Sequence, residues 1–224
     1  MAEEYIRFNT DTNDHNIIRS NPVLSNAAKD PWSHLPVDEW IQKQIDWCEQ
    51  PDHISGRGLI DVINNLPEKQ LIGVEIGVCL GVTTELFAQK ITNLQKLYGV
   101  DSYAVFTDWN GVTMGEDKQS RFRAHATKRL GKYDKIEQVF ISSTHFALTR
   151  ATESLDFCFI DGDHSHEGAL RDFESYYPLI KKGGLFAGHD LNLPTVATAL
   201  QEFLGNKFDK IGRATNDAWY LMKE

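Results

Sequence analysis

Residues 71–84 (Leu-Ile-Gly-Val-Glu-Ile-Gly-Val-Cys-Leu-Gly-Val-Thr-Thr) restrict this chain more than any other stretch. Leu71, Ile72, Val74 and Ile76 form a nearly continuous apolar run, as expected of a parallel strand covered on both faces. Gly77 and Gly81 then remove Cβ atoms from a turn, where a ligand would lie against the backbone. From Thr83 the apolar spacing becomes helical through Leu86, Phe87, Ile91 and Leu94, so the unpaired N–H groups of a helix start face that turn. Strand, glycine turn and helix together predict a site for a nucleotide-like cofactor.

The glycine spacing restricts which cofactor. A dinucleotide fingerprint needs G-x-G-x-x-G, and Cys79 and Val82 stand where its second and third glycines would be. A phosphate-cradling loop needs a lysine after its last glycine, and none follows Gly81. The pattern present is Glu75-x-Gly77-x-x-x-Gly81.

The chain has 224 residues, with 41% hydrophobic and 25% charged, which suits one globular domain behind an N-terminal extension. The formal net charge of −9 argues against a nucleic-acid-binding surface. No apolar run approaches the ~20 residues of a membrane span, and the N-terminus lacks the basic and apolar regions of a signal peptide. Cys48, Cys79 and Cys158 are odd in number and widely spaced, as reduced thiols are. A cytoplasmic location is the expectation.

Residues 1 to about 30 are polar and aperiodic, which reads as an irregular arm. Pro36-Val37-Asp38-Glu39 opens a helix with its apolar side at Val37, Trp40, Ile41, Ile45 and Cys48, and a second helix is expected over 58–66. Trp32, Trp40 and Trp47 line a substrate pocket or subunit contact, or else belong to helices packed on the sheet; packing is the favoured option.

From residue 71, strands and helices alternate. Later strands are expected at 96–101, 136–141, 155–160 and 185–188, the last entered by a tight turn at Lys181-Lys182-Gly183-Gly184. Helices are expected at 118–130, 166–177 and 195–204. Two terminal strands, 208–214 and 218–222, form a hairpin around Thr215-Asn216-Asp217. The predicted fold is a doubly wound, Rossmann-like α/β sheet of seven strands with a C-terminal antiparallel β-hairpin. Residues 1–67 form an arm with helices, and 68–224 form the catalytic domain.

Three stretches in order carry a resemblance: the glycine turn, the run 156–166 ending Asp161-Gly162-Asp163-His164-Ser165-His166, and the run 179–190 ending Gly188-His189-Asp190. Together they resemble class I S-adenosylmethionine (SAM) methyltransferases, and most closely the small-molecule O-methyltransferases that include macrolide-sugar methyltransferases. The resemblance implies that Gly77, Gly81, Thr83 and Ser102 line the cofactor. It also implies that Ser143 meets adenine, although Ser142, Ser143 and Thr144 are equally good helix caps. Asp101, at the end of the second strand, either accepts the ribose hydroxyls or caps a turn. Glu75 attracts the methionine ammonium, since a carboxylate at a buried strand end needs a partner.

Asp161 and Asp190 end adjacent strands, which lie ~4.8 Å apart, so their charges converge and call for a cation or a proton. Mg2+ would meet that need, held by Asp161, His189 and Asp190; the imidazole at 189 suits a softer ion such as Mn2+ better. Asp161 is also expected at the cofactor and in catalysis. The resemblance makes His164 the general base that takes the acceptor's proton, with a helix cap or carboxylate orienter as the alternative; for His166 the structural role is favoured. The apolar, glycine-interrupted segment 104–117, with Trp109 and Gly111, is a lid or a packed loop, and the basic helix after it is a solvated face or an anion-recognition surface.

The leading function is SAM-dependent O-methyl transfer to a hydroxylated small molecule such as a sugar or glycosylated metabolite. The alternative is a SAM-binding protein of the same fold that acts as a binding or assembly subunit, and an NAD-linked oxidoreductase ranks third. No nucleic acid or membrane is expected as partner, and the N-terminal helices offer a surface for a homo-oligomer.

Overall fold

A computed structural model describes residues 32, 34–107 and 113–224. The N-terminal arm and the centre of the 104–117 segment, with Trp109 and Gly111, lie outside the described residues. The sheet is built outward from β1 (Leu71–Ile76), which pairs in parallel with β2 (Leu94–Val100) on one side and β6 (Leu155–Ile160) on the other. β5 (Ile136–Val139) flanks β2, and β7 (Ile180–Gly188) flanks β6. β9 (Trp219–Met222) enters antiparallel beside β7, and β8 (Gly212–Arg213) closes the edge, giving the order β5-β2-β1-β6-β7-β9-β8. A minor hairpin of β3 (Phe106–Thr107) and β4 (Thr113–Met114) stands apart. The expected seven-stranded sheet with its antiparallel end is the one observed.

Every residue of β6 is buried, as a central parallel strand covered on both faces requires. The alternation of its side chains divides the core in two. Phe157 and Phe159 point to one layer with Phe87 and Ile63, while Cys158 and Ile160 join Phe173, Phe186 and Trp219 in the other. The first layer lies under α2 (Ile60–Asn64) and α3 (Val82–Lys90), the second under α6 (His166–Tyr176) and α7 (Pro194–Leu204). Edge-on aromatic contacts tie the second layer together, with Phe173 and Trp219 centroids 5.5 Å apart and Phe186 and Trp219 5.1 Å apart.

Several boundaries differ from expectation. Lys181-Lys182-Gly183-Gly184 is no turn but part of β7, which bulges so that Leu155 faces Ile180 while Phe157 faces Leu185. The C-terminal segment pairs there, since Gly183 donates to the Lys223 carbonyl and Lys223 to that of Gly184. The strand expected over 208–214 shrinks to β8, because 205–210 coils into a 3-10 turn that brings Phe208 against the core. The third strand stops at Val139, and the helix expected over 58–66 shortens to α2.

The N-terminal helix α1 (Val37–Cys48) packs on α4 (Glu116–Leu130) rather than on the sheet. Trp40 stacks on Phe122 with centroids 5.5 Å apart, and the Lys118 ammonium sits 3.8 Å from the Trp40 ring. Arg121 pairs with Asp38 and Arg129 with Glu49, so both ends of α1 are clamped to α4. Trp40 and Ile41 share a buried cluster with Leu80 of the glycine turn, which places α1 over the carboxyl rim of the sheet. Trp32 joins this cluster, whereas Trp47 stays 43% exposed and stacks on His53.

Candidate active site

The rim residues are placed by hydrogen bonds that continue each ladder one step past its strand. Gly77 donates to the Val100 carbonyl, Asp161 to Ile76, Asp101 to Val139 and His189 to Ile160, all at 2.8–3.0 Å. Gly77, Asp101, Asp161 and the His189-Asp190 pair therefore share one edge, as expected. The glycine at 77 serves the chain itself: its φ is +85°, and a Cβ there would lie 1.9 Å from the Asp161 carbonyl oxygen. Its absent side chain thus makes room for the neighbouring strand end rather than for a ligand. Gly81 at φ +74° begins α3 in the left-handed region, with Leu130 as the nearest neighbour of its missing side chain.

Glu75 is buried in β1, and its Oε2 has no hydrogen-bond partner. Burial pushes its pKa well above the ordinary carboxylate value. The Thr84 hydroxyl opposes that rise, but its Oγ1 is not aligned for a hydrogen bond. An orphaned buried carboxyl oxygen under the turn fits a ligand carrying an ammonium group. Thr83 is half-buried in the first turn of α3.

Asp101 Oδ2 accepts from the backbone N–H of Val78 at 3.1 Å and Cys79 at 3.0 Å, and Oδ1 accepts from Tyr103 N–H at 2.8 Å. Both options weighed for this residue are thus physically open: it caps the turn, and a carboxylate with about four lone-pair sites keeps acceptor capacity for a diol. Burial raises its pKa, and the three N–H bonds hold it back. Ser102 Oγ accepts from Ala104 N–H. Ser142, not Ser143, caps α5 (Ser143–Ala147), while the Ser143 hydroxyl donates to Asp172 Oδ1 at 2.5 Å.

At the other end of the rim, two carboxylates alternate with two imidazoles. His164 Nε2 lies 2.9 Å from Asp190 Oδ2 and 3.3 Å from Asp161 Oδ1. His189 Nδ1 lies 3.1 Å from Asp190 Oδ1 and 3.5 Å from Asp161 Oδ1. Burial opposes charge on every member, but the opposite charges outweigh it. They hold the Asp161 pKa far below the usual range, keep that of Asp190 low, and push His164 up to about 10 and His189 to about 11. Asp190 adopts φ +57°, a conformation that costs about 1 kcal/mol or more without glycine. It is held in place by the Trp219 indole donating to the His189 carbonyl and by Leu191 N–H donating to that of Asp217. Donor atoms of Asp161, His164 and Asp190 lie within 4.8 Å of one another, close enough to share one ion. His166 faces away and pairs with Glu202, and His145 lies against the Ser142 hydroxyl.

Three nearby residues escaped the sequence reading. Tyr103 folds back at φ +48° and donates from its hydroxyl to the Cys79 carbonyl at 2.8 Å. Asp172 is buried beside Ser143, and the only signal was an acid on the apolar face of α6. Trp219, buried in the last strand, donates from its indole to the His189 carbonyl at 3.1 Å.

An open sheet with an antiparallel strand near its end, and a glycine turn facing acids at the ends of its strands, is the architecture of the class I methyltransferase fold, the fold whose cofactor is SAM. The family model described as a methyltransferase domain matches residues 74–191, more than half of the chain, and the chain belongs to that family. An uncharacterized protein of Acanthamoeba polyphaga mimivirus is 26% identical over 140 residues, covering 62% of this chain and 59% of that protein, so the chain spans about three fifths of this curated relative. An rRNA methylase from Streptococcus thermophilus aligns with TM-score 0.53 at 15% identity, over 78% of this chain and 97% of that one. The O-methyltransferase NovP aligns with TM-score 0.53 at 17% identity, covering 75% and 80% of the two chains. A calicheamicin methyltransferase aligns with TM-score 0.53 at 16% identity, covering 85% and 86%. These structural likenesses show the shared fold. No helix among the described residues is long and apolar enough to cross a membrane.

Proposed function

We propose that this protein transfers the methyl group of SAM to a hydroxyl of a small acceptor, a sugar or glycosylated metabolite. The observation that carries the proposal is the acid–imidazole cluster of Asp161, His164, His189 and Asp190 on the same rim as the glycine turn. Bound SAM supplies an electrophilic methyl on a sulfonium. Glu75 Oε2 would hold the ammonium end and Asp101 the ribose hydroxyls, with Gly77, Gly81, Thr83, Ser102 and Ser143 as the further cofactor residues. Methyl transfer needs an acceptor oxygen held in line and relieved of its proton.

In this reading His164 takes that proton. Between two carboxylates it holds its own proton at neutral pH, so it must first release it; Asp161 and Asp190 then stabilise the imidazolium that re-forms. A divalent ion would be held by Asp161, Asp190 and the His189 imidazole, leaving His164 as base; an ion bound by His164 instead would take it out of that role. That mixed oxygen and nitrogen set suits Mn2+ better than Mg2+, and such an ion would lower the pKa of a bound hydroxyl.

The test is calorimetric titration with SAM, followed by release of S-adenosylhomocysteine over a panel of hydroxylated acceptors, with EDTA or added Mn2+. Turnover that yields a methyl ether supports the proposal. SAM binding without turnover on any acceptor favours the assembly-subunit alternative, and no SAM binding at all overturns both.

A further inference from the structure

We propose that Asp172 is a positioning residue that selects the cofactor's base by fixing the hydrogen-bond direction of Ser143. With the hydroxyl proton held by Asp172, Ser143 Oγ can only accept, so the site favours a purine with a 6-amino group over one with a 6-carbonyl. The inference rests on the SAM reading above, in which Ser143 meets the adenine, and adds the residue that gives that contact its direction. The Ser143 hydroxyl donates to Asp172 Oδ1 at 2.5 Å, the length of a charge-assisted O–H···O− bond. Asp172 is buried on α6, whereas Ser143 is half-buried at the first position of α5.

The pair sits beside the rim. α5 begins shortly past the end of β5, where the Val139 carbonyl accepts from Asp101 N–H. A Cβ on Gly162, the residue after Asp161, would lie 3.4 Å from Asp172 Oδ2. One carboxylate thus reaches both the loop after β5 and the loop after β6. The Tyr176 hydroxyl donates to the Ser143 carbonyl at 2.7 Å, so α6 holds the backbone and the side chain of Ser143 together.

A buried acid is a costly way to hold a hydroxyl. Burial pushes Asp172 up to about 6, which still leaves it mostly ionised at neutral pH. An amide would bond Ser143 without that charge, but it could turn either its oxygen or its nitrogen to the hydroxyl. An ionised carboxylate can only accept. The single hydroxyl proton is then committed to Asp172, and Ser143 Oγ keeps lone pairs alone for a ligand. The 6-amino group of adenine offers them an N–H. The 6-oxo group of hypoxanthine brings a second acceptor, and two facing acceptors leave desolvated polar groups unpaired.

S-adenosylhomocysteine and S-inosylhomocysteine are the probes, titrated separately into the full chain by calorimetry at neutral pH. Wild type should bind the adenosyl compound about tenfold or more tightly than the inosyl one. Ser143→Ala should lower that ratio by weakening the adenosyl compound. Asp172→Leu, similar in shape, frees the hydroxyl to donate and should strengthen inosyl binding over wild type, a gain that a merely structural role would not produce. Asp172→Asn, whose amide can turn to donate, should lower the ratio by less, and it carries the test if the leucine variant fails to fold. A wild-type ratio near one, or an unchanged ratio in Ser143→Ala, would overturn the contact with the base. A ratio lowered in Ser143→Ala but unchanged in the folded Asp172 variants would overturn the part given to Asp172 alone. Failure of the adenosyl compound to bind wild type would sink the SAM reading itself, and this inference with it.

Discussion

Gly77 packs so tightly against the Asp161 carbonyl that a β-carbon there would come within 1.9 Å of that oxygen. The same contact aligns the glycine turn with the end of β6, since Asp161 N–H donates to the Ile76 carbonyl. The glycine turn and the first acid of the acid–imidazole cluster are thus one structural unit.

Gly77→Ala meets both a backbone clash and a φ of +85°, and should lower stability by about 2–3 kcal/mol. Gly81→Ala should cost less, because its nearest neighbour is the movable Leu130 side chain. Urea denaturation of the two variants checks the order, and equal losses would refute this account of the turn.

Asp101→Ala removes three accepted bonds, two of which tie the glycine turn to the end of β2 and one of which folds Tyr103 back. SAM affinity should fall tenfold or more, about 1.4 kcal/mol by the usual conversion. Asp101→Asn should also weaken binding, since an amide nitrogen would then face backbone N–H donors. Calorimetry decides, and an unchanged affinity for Asp101→Ala removes the residue from the ribose site.

His164 is held protonated by its two carboxylates, with its pKa raised to about 10. If it is the base, turnover should climb as pH rises from neutrality toward 10, and His164→Gln should erase that limb while sparing SAM affinity. The stability effect has the opposite sign. A raised imidazole pKa stabilises the fold fully below the unfolded value of about 6.5, and the contribution is lost as pH climbs through the folded one. His189, raised to about 11, acts in the same direction. The ligand-free protein should therefore lose stability between about pH 7 and 10. A flat Tm across that interval would contradict the charged cluster.

Asp172 is pushed up to about 6 by burial. Its ionised form is disfavoured in the fold, so this group lowers stability progressively as pH rises from about 4 to 6, and the loss is complete and constant above that. Asp172→Asn keeps an acceptor for the Ser143 hydroxyl and removes that charge, and should gain on the order of 1 kcal/mol at pH 8. Thermal melts at pH 4 and pH 8 test this, and a loss at pH 8 would show that the charge is needed.

Much of the site was legible along the chain because local rules govern it. The apolar run into Gly77, the position of Asp101 after β2, and the ends of β6 and β7 at Asp161 and His189-Asp190 all follow from strand length. Period-two burial and glycine turns leave their mark within a few residues. The β7 bulge did not, since Gly183-Gly184 reads as a turn until the C-terminal strand arrives to pair with it.

Sequence by itself determined the chain order of the main-sheet strands and of the long helices, the antiparallel closing strand and which acids end strands, because those depend on short-range periodicity and on connection length; the short β3–β4 hairpin and α5 it did not give. Tertiary structure decided the rest. It set α1 on α4 instead of on the sheet, gave Gly77 to a neighbouring carbonyl, engaged Ser143 with Asp172, and put two imidazoles between Asp161 and Asp190. Each of these joins groups far apart in the chain, and contact, charge and burial act through space, where the linear order of residues carries no distance.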